Sequence, residues 1–534
     1  MSGASRKFLS SLLVPTTAIA TWKVASTQTE SVSKPQVSLK TRMTAIGHFS
    51  LKTETNTHPS VPTFFLALSN PKSPALFNSA MTTGEFERLW KKKDMPIKHP
   101  RFHKKVSESE GYFEPVEEEL STHITETLHM NVYRLDLKRR IEDLVSNVMD
   151  VKKKLWEVQI SNGDLGSSGA ISQRKCEEIR SSGLCSDKET VLLFRSHHSL
   201  GDAVSLIAAL SDLLDEADEI KGSIDEELRR RKSSKKKRTF FQKMKLFIQR
   251  IIWLVFGSLK ALTNQAYLQL TTRQNPFLLA LNMSEEEARK FSPGRSVSWC
   301  DVAPISEVKD VAKTIGGSKA TINDVFVSCV SAAVSRQLKE LQMIHNTGNV
   351  RKYSQQNINV VIPVHLAGGI IPPGRGIGNL IGAFVSKIPC DLPYDSSTKR
   401  FLSVHNALLS SKSSPAPFLG YMMAKSISKF FPESIAVRIF KASSANAAVA
   451  ITNSRGFEQK VHIDGRRVES IAGFLPLPPG LPVGVVIGSY GGEIHLSVNA
   501  ETWAVPDSDK FLGWMLDEYK RLRKEAATIN TKSS

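Results

Sequence analysis

The sequence predicts an α/β protein built in two halves, and three observations carry that prediction. A strand-to-helix transition stands at 191–214. The apolar run Val191-Leu192-Leu193-Phe194 reads as a buried strand. After Gly201 and Asp202, the residues Val204, Leu206, Ile207, Leu210, Leu213 and Leu214 recur at helical spacing. The second half shows the same mixture, with apolar strands at 357–364 and 381–388, a helix opening at Thr321 and a hairpin pattern at 483–498. Finally, 534 residues that are 41% hydrophobic and 23% charged suffice for two or three domains with a large core.

The formal net charge is +19, which favours acidic lipid surfaces and phosphorylated ligands and, on charge alone, nucleic acid. No recognised nucleic-acid fold accompanies it. Cys176, Cys185, Cys300, Cys329 and Cys390 are scattered, odd in number and form no C-x-x-C pair. They read as free thiols of a reducing compartment, without a disulfide framework or zinc site. Residues 1–45 contain little acid, the first being Glu30, and Arg6 and Lys7 precede a short apolar run cut by Pro15. A signal or transit segment and a disordered N-terminus both fit this composition.

Between 46 and 228 the pattern gives a short helix at 83–92, an extended segment from His99, a helix at 132–151 and a strand through Leu155-Trp156-Glu157-Val158. The stretch 161–188, rich in Gly and Ser, reads as an inserted loop. His197 and His198 follow the Val191 strand where it hands over to the helix, a connection at which a rigid scaffold presents reactive groups. Neutral imidazole takes up a proton near pH 7, its ordinary pKa being about 6.5. A metal-binding pair on a helix would instead stand at i and i+4. As adjacent residues, one histidine can face a substrate while the other packs, or both can be satisfied structural groups.

The strongest charge run is 229–238, with eight cations in ten residues, followed by Phe240-Phe241 and by Ile251-Ile252-Trp253-Leu254-Val255-Phe256. A membrane span needs about 20 mostly apolar residues, and Lys245, Gln249 and Arg250 interrupt this one. The stretch therefore reads as an amphipathic helix in the membrane interface, its cations held by anionic head groups at about 1 kcal/mol each. A solvated linker, a nuclear-localisation patch, a crossover helix between domains and a true span are the alternatives.

From about 290, Pro293-Gly294 marks a turn before a strand with Val297 and Trp299 on its buried face, and a helix starts at Ile305. Thr321-Ile322-Asn323-Asp324-Val325 opens a long helix that Asn323 and Asp324 can cap. Gly374 to Gly382 superficially suggests a dinucleotide loop. Its glycine spacing is wrong and Pro372-Pro373 parts it from the strand, so neither nicotinamide nor flavin is expected. A strand covers 447–452, and the proline-rich 474–482 reads as a surface loop. Gly491-Gly492 turns the hairpin. Asp507 or Ser508 caps a last helix burying Phe511, Leu512, Met515, Tyr519 and Leu522.

The string His197-His198-x-x-x-Asp202 resembles the His-His-x-x-x-Asp-Gly motif of acyl-CoA-dependent acyltransferases and peptide-synthetase condensation domains. With Ser199-Leu200-Gly201 it resembles more specifically the bifunctional wax ester synthase/diacylglycerol acyltransferase family. Asn323-Asp324-Val325, Gly378-Asn379 and Ser489-Tyr490-Gly491-Gly492 resemble further family elements in the right order, over roughly 46–525. Departures are Ala203 for the motif Gly, Lys154 for the Pro before Leu155-Trp156-Glu157, Phe457 for a Pro, and Pro363-Val364-His365-Leu366-Ala367, which lacks the family's Asn and Arg.

The resemblance implies two chloramphenicol acetyltransferase-like (CoA-dependent acyltransferase) domains packed around a central channel. It divides the chain into a flexible or targeting N-terminus (1–45), a domain with the histidine motif (46–228), a polybasic crossover (229–289), a second domain (290–525) and a tail (526–534). It implies transfer of a fatty acyl group from acyl-CoA to a long-chain alcohol or diacylglycerol, with no metal, cofactor or acyl-enzyme. His198 is then the base, with His197, Asp202 and Asn323 beside it, Asn323 as donor to the developing oxyanion and Asp202 fixing the turn. Trp156, Gly201, Ala203, Asp324, Gly378 and Asn379 are the candidate substrate-binding residues, Trp156 being equally explicable as core. Membrane association follows, at the endoplasmic reticulum foremost, with the plasma membrane, lipid droplet or plastid as alternatives. The rival reading is a catalytically weak or inactive lipid-binding protein on the same scaffold.

Overall fold

The computed structural model describes residues 40–72, 80–108, 111–116, 119–126, 134–233, 240–272, 274–345, 357–366, 368, 378–390, 397–412, 414–444 and 446–533. The N-terminal segment up to residue 39, the side chains of most of the 229–238 cation run, and Ala367 lie outside the described residues.

Two six-stranded sheets organise the molecule. The first runs in the order His462–Ile463, Arg466–Phe474, Thr63–Pro71, Cys185–Ser196, Trp156–Asp164, Ile124–Glu126. All its pairs are antiparallel except the last. The second runs Ile381–Pro389, Asn357–His365, Val449–Arg455, Val483–Tyr490, Glu493–Glu501, Arg295–Pro304, with the Val449 strand parallel to both its neighbours. Strand alternation divides the side chains of the Cys185–Ser196 strand between two layers. Val191 and Leu193 pack with Leu137, Ile141, Val297 and Trp299. Leu192 and Phe194 face the other way, with Trp90, Phe102 and Trp156.

The sheets do not divide at 290. Residues 462–474 leave the second half for the first sheet, where Arg466–Phe474 pairs with Thr63–Pro71 and His462–Ile463 adds the edge, so this sheet is completed by late sequence. The loop expected at 161–188 is a second departure. The strand runs on to Asp164, a helix occupies Gln173–Ser182, and the next strand begins at Cys185. Glycines at 166, 169 and 183, all at positive φ, supply the turns that a loop reading mistook for the whole segment. The helix between them buries Cys176 and Ile179.

Elsewhere local chemistry agrees with the elements. The helix Thr83–Lys92 starts with a reciprocal Thr82/Glu85 capping box. The hairpin Val483–Tyr490/Glu493–Glu501 turns at Gly491 and Gly492, both at positive φ. The last helix, Ser508–Ser533, buries all five of the residues expected. All five cysteines are free thiols. Burial pushes the Cys300 thiol up to about 12 and that of Cys329 upward as well, so neither is a ready nucleophile.

The long helix Phe240–Thr271 contacts the helices Ala416–Phe430 and Glu433–Ser443. Ala416–Phe430 covers the edge strand Ile381–Pro389 so closely that glycine is required on both sides. A Cβ on Gly382 would stand 1.8 Å from the Pro417 carbonyl oxygen, and one on Gly420 would stand 2.7 Å from that of Ala383. Gly382→Ala is therefore expected to destabilise the second sheet by about 1–3 kcal/mol or more through overpacking. A lowered urea midpoint and faster proteolysis at the cover helix would register it.

Candidate active site

The histidine turn is built by three independent constraints. The first is the sheet. His197 N–H donates to the Leu155 carbonyl at 2.8 Å and His198 N–H to the Ser60 carbonyl at 2.8 Å, so both residues extend the strand pairing beyond its last rungs. The second is the His197 ring, which is fully buried. Its Nδ1 accepts from the Ser199 N–H at 3.1 Å, which assigns the proton to Nε2 and aims it at Glu54 Oε2, 3.2 Å away. Glu54 Oε1 in turn accepts from the Ser60 N–H at 2.8 Å. Both nitrogens of His197 are thus committed to holding the turn.

The third constraint is Asp202. It caps the motif helix Ala203–Leu210, Oδ1 accepting from the Ser205 N–H and Oγ–H at 2.8 Å each. Its Oδ2 accepts the Leu380 N–H at 2.8 Å, and its own N–H donates to the Gly378 carbonyl at 3.0 Å. Asn379 completes the clamp by donating Nδ2 to the His198 carbonyl at 3.0 Å and to Thr44 Oγ1 at 3.3 Å. Gly378, Asn379 and Leu380 belong to the second half of the chain. The turn bearing His198 is therefore gripped from both halves at once.

His198 alone turns its ring to open space. It lines a cavity of about 980 Å³ that both halves enclose. Phe64, Leu192 and Phe194 contribute from the first sheet, and Val361, Pro363 and Phe384 from the second. The motif helix adds Ala203, Ile207 and Leu210. Withdrawal from water pushes the His198 pKa below the ordinary histidine value, although its own carbonyl, the Asp202 carboxylate and the Asn379 amide pull the other way. The ring is consequently neutral at pH 7. Its Nδ1 is buried and makes no hydrogen bond of good geometry.

Of the candidate residues, Ala203 shares the cavity wall with His198. Gly201 is buried inside the turn, and Gly378 and Asn379 hold the turn from behind rather than lining the cavity. Trp156 is core. It stacks on Trp90 at 4.5 Å, His123 at 4.7 Å and Phe194 at 5.5 Å, and gives its Nε1–H to the Phe102 carbonyl at 2.8 Å. It does not line the cavity itself but backs the wall residue Phe194.

Asn323 and Asp324 stand elsewhere. Thr452 and Ser454 line the cavity, so the intervening Asn453 points through the opposite face of the sheet, and there it meets the Asn323 amide oxygen at 2.5 Å. Asn323 is not on the cavity wall, and its assignment as oxyanion donor is withdrawn on that geometry. Asp324 is a buried junction. It accepts from the Thr321 N–H at 2.8 Å and lies 3.0 Å from both His405 Nδ1 and Lys412 Nζ. The proline-rich segment 474–482 is also corrected. Phe474, Leu475 and Pro478 form cavity wall, a place that suits prolines because they bring no N–H needing a partner.

Several residues escaped the sequence reading. Glu54 lies 143 positions from the His197 it orients, and nothing local marks it. His58 and His495 also face the cavity. His58 Nε2 is bound by Arg289 at 2.7 Å and His495 Nδ1 by Asp301 at 2.5 Å, so both rings have structural partners. Among the described residues, no group of His, Cys, Asp and Glu could hold a metal ion.

A two-sheet α/β fold with a His-His-x-x-x-Asp turn gripped between its halves defines the coenzyme A-dependent acyltransferase class. The fold is shared with solved structures of low sequence identity. The wax ester synthase/diacylglycerol acyltransferase of Marinobacter aquaeolei VT8 matches at a TM-score of 0.55 and 14% identity, over 91% of this chain and 100% of that one. The TRI3 trichothecene 15-O-acetyltransferase of Fusarium sporotrichioides matches at 0.51 and 14%, over 91% and 95%. The first condensation domain of the CDA synthetase matches at 0.52 and 10%, over 92% and 98%. Residues 377–523 match the family model described as the WS/DGAT C-terminal domain. The curated wax ester synthase/diacylglycerol acyltransferase 9 of Arabidopsis thaliana is 22% identical over 415 residues, covering 73% of this chain and 78% of that protein. Residues 377–523 thus match the C-terminal domain of this family, the chain is similar to a curated member over 415 residues, and it is an acyltransferase.

The clamp makes two variants informative. Asp202→Ala removes a helix cap and leaves the Leu380 N–H without its acceptor, and should cost about 2–4 kcal/mol in urea unfolding. Asn379→Ala should leave the midpoint within about 1 kcal/mol, the net worth of a neutral hydrogen bond, while lowering kcat. An unchanged kcat would mean that the amide does not orient His198.

Proposed function

We propose that the protein transfers a fatty acyl group from acyl-CoA to the hydroxyl of a long-chain alcohol or a diacylglycerol, at a membrane surface, with His198 as general base. The observation that carries the reading is the His198 ring, which faces a large apolar cavity while the adjacent His197 ring is committed to the turn. The cavity's volume falls at the upper end of ordinary ligand sites. His198 Nε2 accepts the hydroxyl proton as the alcohol oxygen attacks the thioester carbonyl. The carbon–sulfur bond then breaks, and the same nitrogen returns the proton to the departing thiolate. Positioned general-base catalysis of this kind contributes roughly 10²–10⁴-fold. Asp202 and Asn379 act through the backbone of the turn. Acyl transfer is direct, without an acyl-enzyme, cofactor or metal in the scheme.

His198→Ala should lower acceptor-dependent coenzyme A release from palmitoyl-CoA, with hexadecanol or dioleoylglycerol, by roughly 10²-fold or more. The unfolding midpoint should stay near that of the wild type. Near-normal release would refute the mechanism. Hexadecanol and dioleoylglycerol assayed side by side give the acceptor preference. The base must be neutral, and burial lowers its pKa, so activity should hold as pH falls to the ordinary histidine value of 6.5 and be lost below it. A midpoint above 6.5 in the pH dependence of kcat/KM would contradict this sign.

A further inference from the structure

The long helix Phe240–Thr271 presents an apolar face that is left uncovered among the described residues. Phe247, Ile248, Ile251, Val255, Phe256 and Leu259 recur at spacings of three and four, and each is about half exposed or more. The helix is seated on the protein at Gly257 and, toward its C-terminal end, at Gln265 and Gln269. A Cβ on Gly257 would stand 2.7 Å from Pro415 Cδ, and Gln265 and Gln269 donate to the Ser443 and Ala442 carbonyls at 2.6 and 3.0 Å. The adjacent cover helix adds Met422 and Met423 to the exposed apolar surface. Such a patch marks a docking surface rather than ordinary exposure.

Its charge identifies the occupant. The two helices carry Lys243, Lys245, Arg250, Lys260, Lys425 and Lys429 in sequence and no carboxylate, and the eight-cation run 229–238 directly precedes them. An exposed apolar face on helices whose sequences carry cations and no carboxylate fits the surface of an anionic phospholipid bilayer. By length and composition the long helix could cross a membrane. Being fastened lengthwise to the folded body, it would have to carry that body with it, so it lies in the interface.

The same residues border the cavity. Leu262 of the long helix and Met422 and Met423 of the cover helix line the space that contains His198, yet they are 60%, 40% and 42% exposed. Residues that are both wall and surface are the rim of an opening. We infer that the His198 cavity opens between these two helices directly onto the bilayer, so that the lipophilic acceptor enters from the leaflet without crossing water. This rests on the acyl-transfer reading for the identity of the acceptor, but not for the docking.

The full-length protein is mixed with phosphatidylcholine vesicles with or without phosphatidylserine, containing a diacylglycerol that bears a photoreactive group on one acyl chain. Wild type should float with the anionic vesicles and be labelled on peptides of the Ile381–Pro389 strand and the motif helix. Ile251→Glu/Val255→Glu, at exposed positions that leave the fold intact, should lower flotation about tenfold or more. Undiminished flotation overturns the docking surface. Leu262→Trp/Met423→Trp, which narrows the rim, should float like wild type and be labelled several-fold less. Equal cavity labelling overturns the entry route. His198→Ala should be labelled as strongly as wild type, so loss of catalysis alone is read separately from loss of entry.

Discussion

Everything at the site depends on keeping one imidazole dry and aimed. A ring withdrawn from water favours its neutral form. Burial alone would also leave it disordered among apolar neighbours. Here direction comes from the backbone beneath it. The His198 amide and carbonyl are both bound, to Ser60 and Asn379, and the following carboxylate is bound to Leu380 and Ser205. The ring needs few side-chain partners because its main chain has so many.

That arrangement explains a division of labour between adjacent histidines. His197 spends both nitrogens on Ser199 and Glu54, whereas His198 spends neither on a strong hydrogen bond. The aromatic stack of Trp90, Trp156 and Phe194 extends the same logic outward. It fixes the strands from which the turn springs, and each offset ring pair adds about 0.5–1.5 kcal/mol beyond its buried area. The acyltransferase fold is thus a frame for one short turn, with the cavity wall supplied by whatever side chains the two sheets turn inward.

The fold and the turn that carries His198 are legible in the sequence because both are local signals. Strand alternation, capping residues and the His-His-x-x-x-Asp string need only a dozen residues each. What was not legible is long-range. Asn323 reads like a functional residue beside Asp324, but the two-residue period of the Val449–Arg455 strand puts its partner Asn453 on the side away from the cavity. Trp156 reads equally well as tunnel or core, and only its neighbours decide. Residues 474–482 read as surface because prolines usually are, whereas a large apolar cavity creates interior wall without demanding backbone partners. The 161–188 stretch was misread since three glycine turns outweighed a short, mostly polar helix.

The crossing of residues 462–474 into the first sheet has a consequence for biogenesis. Until those residues leave the ribosome, the Thr63–Pro71 strand has an open edge, with unpaired amides and carbonyls beside apolar neighbours. The His198 turn likewise waits for Gly378 to Leu380 to arrive. The first half is therefore not an independent folding unit, and a nascent chain must shelter that edge through most of its synthesis.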